Sequence, residues 1–462
     1  MASLGVEAIW LTPFYASPMR DFGYDISDHC AVDPSFGTLE DFDALVAEAH
    51  RTGLRVILDF VPNHTSDQHP WFAESRASRE SPRRDWYLWR DGNPPNNWIS
   101  VFGGPAWTWD EATGQSYYHA YLAEQPDLNW RNPEVREAMF AVLRFWIARG
   151  VDGFRVDAMR QVLKDLSLRD NPAVEGWDGP RDVYASLRPE FTTDLDEVQE
   201  VVAALRRAIG DERLFMAEVT APIPRLVRYY GAAGEGAHLP FNFHLIFADW
   251  DAAAIAALVE EYEAAVPDGA WPNWVLGNHD QPRVASRVGP RQARAAAMLL
   301  LTLRGTPTLY YGDEIGMEDV LVPPERVVDP DGRDPERSPM RWTGEPGAGF
   351  TSGEPWLPLG DPAVNVEAQE ADPRSILALH RRLIALRGAR EDLLTGSYET
   401  LQADGVLAYR RGTSTVVALN LTGAPRSVAL SGEIVLDTGL ARAGERPDRL
   451  QLAAGEGVIL DA

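Results

Sequence analysis

The stretch VDGFRVDAM, residues 151–159, reads as a buried strand with two charges inside it. Val151, Phe154 and Val156 suit a buried strand, because β-branched and aromatic side chains pack well on a pleated surface. Side chains alternate across a strand, so Arg155 and Asp157 point to the same face. Ionised groups enter a protein interior only with partners. A buried Arg–Asp pair serves either structure or chemistry, and this stretch alone leaves both readings open.

Outward from it, short apolar runs alternate with helical patterns. VEAIWLTPFY (6–15), LRVILDFVPNH (54–64), RLFMAEVT (213–220), NWVLGNHD (273–280) and TPTLYYGDEIG (306–316) read as further strands. LEDFDALVAEAHRTG (39–53) reads as an amphipathic helix stopped by Gly53, and PEVREAMFAVLRFWIARG (133–150) as another. Such alternation predicts parallel strands joined by crossover helices. At 462 residues the chain accommodates a large α/β barrel with an appendage. Residues 65–130, rich in Trp, Pro, Asn and Gly, break the rhythm and read as an irregular lobe inserted after a strand. From about residue 392 short alternating strands such as VLAYRRGTSTVVALNLTG predict a small all-β domain.

The formal net charge is −26, which argues against nucleic acid and anionic membrane as partners, since both need basic patches. The positive charge is nearly all Arg, and Lys164 is the sole lysine. One cysteine, Cys30, forms no disulfide within the chain, which fits a reducing cytoplasm. MASLGVEAIWLTP lacks the basic and apolar regions of a signal peptide, and the apolar run AAAMLLLTL is too short to span a bilayer. A cytoplasmic location is therefore expected. Fifteen Trp residues hint at carbohydrate, whose faces stack on aromatic rings, although most Trp serves packing.

Each strand end carries a polar oddity. Asp59, Asn63 and His64 close LDFVPNH, Asp157 follows Arg155, Glu218 sits in FMAEVT, and Asn278, His279 and Asp280 sit in LGNHDQPR; Asp25 lies in GYDISDH. In parallel α/β barrels these ends form the active site. A lone His or Glu there would be packing or a solvated side chain. Several carboxylates at one barrel mouth repel one another, so stability alone would not select them. Paired carboxylates with Arg and His nearby suit glycosyl chemistry, in which one attacks the anomeric carbon and another protonates the departing oxygen. Arg155 is expected to hold Asp157 ionised.

DFVPNH, GFRVDA, AEV and NHD, in that order, resemble the four ordered signature segments of the α-amylase family, glycoside hydrolase family 13. QPDLNW (125–130) resembles a further family segment. NHDQPR, LYYGDEIGM and GRDPERSPMRW (332–342) are similar to the α-glucosidase and oligo-1,6-glucosidase branch. The resemblance implies a (β/α)8-type TIM barrel (1–64 and 131–391), a lobe inserted after the third barrel strand (65–130) and a C-terminal β-sandwich (392–462). It further implies that Asp157 is the nucleophile, Glu218 the general acid/base and Asp280 a third acid gripping sugar hydroxyls. Arg155, His64 and His279 match residues lining the glucose site. Asp25 and Arg337 match a pair closing the pocket, which makes such enzymes exo-acting. The implied substrate is a small oligosaccharide or disaccharide, with no metal and no cofactor; oligomeric state is left open.

Family members begin with a strand and helix ahead of the segment matching ASLGVEAIWL, so the barrel is expected to lack its first strand. Ala158, where this branch carries Val in enzymes of α-1,6 linkages, leans toward α-1,4 bonds; a small residue fitting local packing is the alternative. Two competing readings are a glucosyl transferase or isomerase on the same scaffold and a non-catalytic relative of the transporter-partner kind.

Overall fold

The computed structural model describes residues 1–92, 94–179, 183–329 and 331–462. By internal contact the chain divides into two units, Glu7–Pro240 and Met1–Val6 with Phe241–Ala462.

In the Glu7–Pro240 unit five strands form one parallel sheet: β1 (Ala8–Leu11), β2 (Arg55–Phe60), β3 (Gly153–Val156), β4 (Leu214–Ala217) and β5 (Leu239–Pro240), neighbours in that order. Helices α1 (Leu39–Arg51), α2 (Pro133–Ile147) and α3 (Val198–Ile209) provide crossovers. A capping box starts α1: the Thr38 hydroxyl accepts from the Asp41 amide, and the Asp41 carboxylate accepts from the Thr38 amide at 2.9 Å. Beyond its end Gly53 adopts φ +81°, a conformation costly to a side chain. Strands β2 and β3 are buried almost throughout, whereas Ile9, Trp10 and Leu11 of β1 are half-buried and β1 pairs with β2 alone among the described strands. The expected β4 and both expected helices are present, and β5 is a two-residue strand that the sequence reading did not name. Gly153 is needed for close packing: a Cβ there would lie 2.5 Å from the Leu214 carbonyl oxygen.

Residues 65–130 are more ordered than the irregular lobe expected. They contain a helix, Pro70–Ala77, and a three-stranded antiparallel sheet of Trp89–Arg90, Gln115–Tyr118 and Trp107–Asp110. Its apolar core gathers Leu88, Trp98, Trp107 and Tyr118. Strands of two to four residues carry too little alternation to be read from sequence.

In the other unit β6 (Asn273–Val275) and β7 (Thr306–Thr308) are a parallel pair, with β6 buried and β7 half-buried. Helices α4 (Ala252–Ala265), α5 (Pro290–Thr302) and α6 (Ile376–Ala389) accompany them. The apolar run around Met298 lies in α5, buried on nearly every side. Toward the C-terminus five antiparallel strands adjoin in the order Tyr398–Leu401, Leu407–Arg411, Thr415–Leu419, Gly457–Asp461 and Glu433–Asp437. A two-strand ladder, Arg426–Val428 with Leu450–Leu452, shares their apolar core through Val428, Leu450 and Leu452. Among the described residues no helix is long and apolar enough to cross a membrane.

Candidate active site

Parallel registry assembles the first cluster. Asp59 on β2 stands directly opposite Arg155 on β3, so both side chains emerge on one face. Beyond the strand ends, the Asp157 amide donates to the Phe60 carbonyl at 2.8 Å and the Glu218 amide to the Val156 carbonyl at 2.9 Å. These bonds extend the ladder by one residue and bring Asp157 and Glu218 beside Arg155.

The Arg155 guanidinium is 1% exposed and serves three carboxylates. Its Nη1 donates to both oxygens of Asp59, at 2.9 and 3.1 Å, and to Asp157 Oδ1 at 2.6 Å. Its Nη2 lies 3.0 Å from Glu218 Oε1. The Trp10 ring sits 4.8 Å from the guanidinium carbon, a cation–π contact that covers the charge with apolar surface. Glu218 Oε2 accepts from the Ala158 amide at 2.9 Å, and Tyr24 donates its hydroxyl to Asp59 at 3.0 Å. Ala158 has φ +46°, in the left-handed region where a β-branched residue is strained. Local backbone geometry thus gives an independent reason for a small residue after Asp157.

Arg155 favours the ionised form of Asp157, as expected, but it does not act alone. Burial and the neighbouring Glu218 push the Asp157 carboxyl up, and Arg155 pulls it down. Asp59 is pushed up to about 6, chiefly by burial, with Arg155 opposing. Asp157 and Glu218 are thus gathered on the two terminal nitrogens of one guanidinium.

His64, just past β2, is 2% exposed, with Nε2 at 3.2 Å from the Tyr24 carbonyl oxygen. Burial lowers its pKa to about 4, so the ring is neutral at pH 7. Asp25 is fully buried and accepts from the Ser17 hydroxyl (3.0 Å) and the amides of Arg20 (2.9 Å) and Asp21 (3.0 Å). The segment QPDLNW bridges to the strand end through His64 with Asp127. Lys164, buried, pairs with Asp127 and donates to Asn63 Oδ1 at 2.9 Å. The sequence reading gave Lys164 no role. A sole lysine among 42 arginines was the available signal, since a compact point charge and a planar fork are not interchangeable.

The second cluster belongs to the other unit and follows β6. Asp280 Oδ1 accepts from Arg333 Nη1 at 3.1 Å and from Arg337 Nη2 at 3.0 Å. His279 Nε2 lies 3.5 Å from Asp280 Oδ2, and Arg337 Nε donates to the His279 carbonyl at 2.7 Å. Arg333 is itself held by Asp329, through Nε at 2.9 Å and Nη2 at 2.6 Å. Burial raises Asp329, but the hydrogen bonds from Arg333 outweigh it and hold the carboxyl below the usual range. Arg333 and Asp329 were not foreseen, although Arg333 lies one turn before Arg337 in GRDPERSPMRW.

The structure therefore places Asp25, His64, Arg155, Asp157 and Glu218 in one unit and His279, Asp280 and Arg337 in the other. Among the described residues no group of three or more His, Cys, Asp or Glu side chains could hold a metal ion.

Residues 1–396 match the family model of the α-amylase catalytic domain. A probable α-glucosidase of Rhizobium meliloti (strain 1021) is 40% identical over 449 residues, which covers 88% of this chain and 80% of the relative. The amino acid transporter heavy chain SLC3A1 of Rattus norvegicus is 37% identical over 502 residues, covering 100% and 73%. The crystal structure of the α-glucosyl transfer enzyme XgtA aligns with a TM-score of 0.92 at 38% identity, covering 99% of this chain and 92% of that one.

Proposed function

The chain belongs to the α-amylase family and is a glycoside hydrolase, and on that premise we propose that it is a retaining, exo-acting α-glucosidase acting on short α-glucosides, α-1,4 bonds favoured. The observation that carries this reading is the pair Asp157 and Glu218 on one guanidinium. An inverting enzyme needs its carboxyls roughly 6.5–9.5 Å apart to admit a water between them and the sugar. Retaining enzymes hold them about 5–5.5 Å apart, and two carboxylates that share one guanidinium suit that closer spacing.

In the first step an ionised Asp157 oxygen attacks the anomeric carbon, the glycosidic C–O bond breaks, and Glu218 gives its proton to the leaving oxygen. Glu218 then removes a proton from water, which attacks the glucosyl ester and frees Asp157 with the anomeric configuration retained. Attack needs the anion at Asp157, and departure of the leaving group needs a proton from Glu218. The roles of Asp280 on the sugar hydroxyls, of His64 and His279 along the glucose site, and of Asp25 and Arg337 as closure rest on the motif matches. The preference for α-1,4 bonds rests on Ala158, whose left-handed backbone supplies a competing local reason.

The same reading takes the parallel strands as a (β/α)8-type barrel short of its first strand. The half-burial of β1 and β7 supports it, each pairing on one side among the described strands. It takes residues 65–130 as an inserted lobe and 392–462 as a C-terminal all-β domain. The likeness to XgtA favours a second reading, transfer of glucose to a sugar acceptor. Incubation with maltose, isomaltose, sucrose and trehalose, followed by NMR of the products, tests both. Release of α-glucose as the first anomer is expected. First-formed β-glucose would refute retention, and new disaccharides with little free glucose would favour transfer.

A further inference from the structure

The loop that carries Asn278, His279 and Asp280 leaves β6 after Val275 and re-enters a short helix, Val284–Val288. One guanidinium from that helix closes the loop at both ends. Arg287 donates through Nη2 to the Leu276 carbonyl, just before the loop, and through Nε to the Pro282 carbonyl, just after it, at 3.0 Å. Its Nη1 donates to the Ile246 carbonyl at 2.6 Å, which ties the same point to the helix His244–Phe247. Leu276 and Ile246 are buried, so both carbonyls need a donor in place of water.

Within the span an isolated bridge pairs Asn278 with Gln281, and Arg333 and Arg337 hold the Asp280 carboxylate. The Asp280 amide donates to Asn278 Oδ1 at 3.1 Å, and Arg337 takes the His279 carbonyl at 2.7 Å. The base of the loop is thus fixed by Arg287 and its tip by Arg337, with Asp280 between. A planar fork with fixed donor directions can hold carbonyls on both limbs; a neutral side chain of the same length cannot.

We propose that Arg287 is a positioning residue that sets the aim of Asp280 by bracing both ends of its loop. It touches neither Asp280 nor any reacting atom, and its contribution passes through the loop backbone. The inference rests on the reading of Asp280 as the third acid. Misplacing such a group by about 1 Å costs on the order of 100-fold in rate.

The test is a double-mutant cycle on the full chain, with kcat and KM for α-glucosyl fluoride measured for wild type, Arg287→Met, Asp280→Asn and the double variant. Arg287→Met is expected to lower kcat/KM roughly 10- to 100-fold when Asp280 is present and less than about 3-fold when it is Asn. Arg287→Lys, which keeps the charge and can hold one or two of the carbonyls, is expected to recover part of the loss. It also serves as the folded comparison if the Met variant does not fold, with circular dichroism and Tm as controls. Equal fold-losses in both backgrounds would overturn the proposal, since a general structural defect does not depend on Asp280. An Asp280→Asn variant of wild-type activity would instead overturn the reading of Asp280 itself.

Discussion

Removing the charge of Asp59 tests whether Asp157 titrates under the influence of the carboxylates that share its guanidinium. Asp59 and Asp157 accept from the same Arg155 nitrogen at 2.9 and 2.6 Å, so those two oxygens lie at most the sum of these apart, about 5.5 Å. At an effective dielectric constant near 20, two unit charges about 5.5 Å apart repel by about 3 kcal/mol, equivalent to about two pKa units. Asp59→Asn removes that repulsion while keeping an acceptor for Arg155 and Tyr24. It also leaves Arg155 paired with Asp157 and Glu218, so no buried charge is stranded. A carboxyl that loses a negative neighbour holds its proton less tightly, so the pKa of Asp157 must fall. Asp59 itself takes up a proton near pH 6, so above that pH the profile of kcat/KM against pH should move toward acid by on the order of one to two units, with little change below it. The assay is hydrolysis of an aryl α-glucoside from about pH 4 to about pH 9, with Tm recorded at each pH. A profile that stays in place, or moves toward alkali while the variant remains folded, would refute the account of one guanidinium shared by three acids.

Asp157→Asn should retain the fold and lose several orders of magnitude in kcat, because an amide cannot attack the anomeric carbon; near-normal turnover would remove it as nucleophile. Glu218→Gln should hurt maltose hydrolysis far more than release of an activated aryl group, and equal losses would argue against proton donation. Lys164→Met strands the buried Asp127 and should cost about 3–5 kcal/mol, seen as a Tm lower by on the order of 10 °C, with partial recovery when Asp127→Asn is added. If Asp25 and Arg337 close the pocket, soluble starch should release glucose with little loss of viscosity; rapid thinning would contradict closure.

The period of two along VDGFRVDAM made Arg155 and Asp157 legible, because alternation is a local property. Asp59 was visible as a polar strand end, but its partnership with Arg155 depends on β2–β3 registry, which no single segment encodes. Arg333 and Asp329 escaped for a similar reason: both lie in a loop, and their grip on Asp280 is set by tertiary packing. The strands of the 65–130 lobe and β5 are two to four residues long, shorter than the run needed to separate alternation from chance. The sequence reveals the attractive neighbour of Asp157 two residues away but not the burial and the other acids that oppose it.

The pairing of Lys164 with Asp127 has a practical side. Lys164 is the only lysine in the chain and is buried where the QPDLNW segment meets Asn63. An amine-acylating reagent can reach its Nζ only when that junction opens, so the rate of acylation at this one position follows the population of the open form. Mass spectrometry of the modified peptide, with and without sugar present, would turn a fixed ion pair into a clock for the breathing of the lobe.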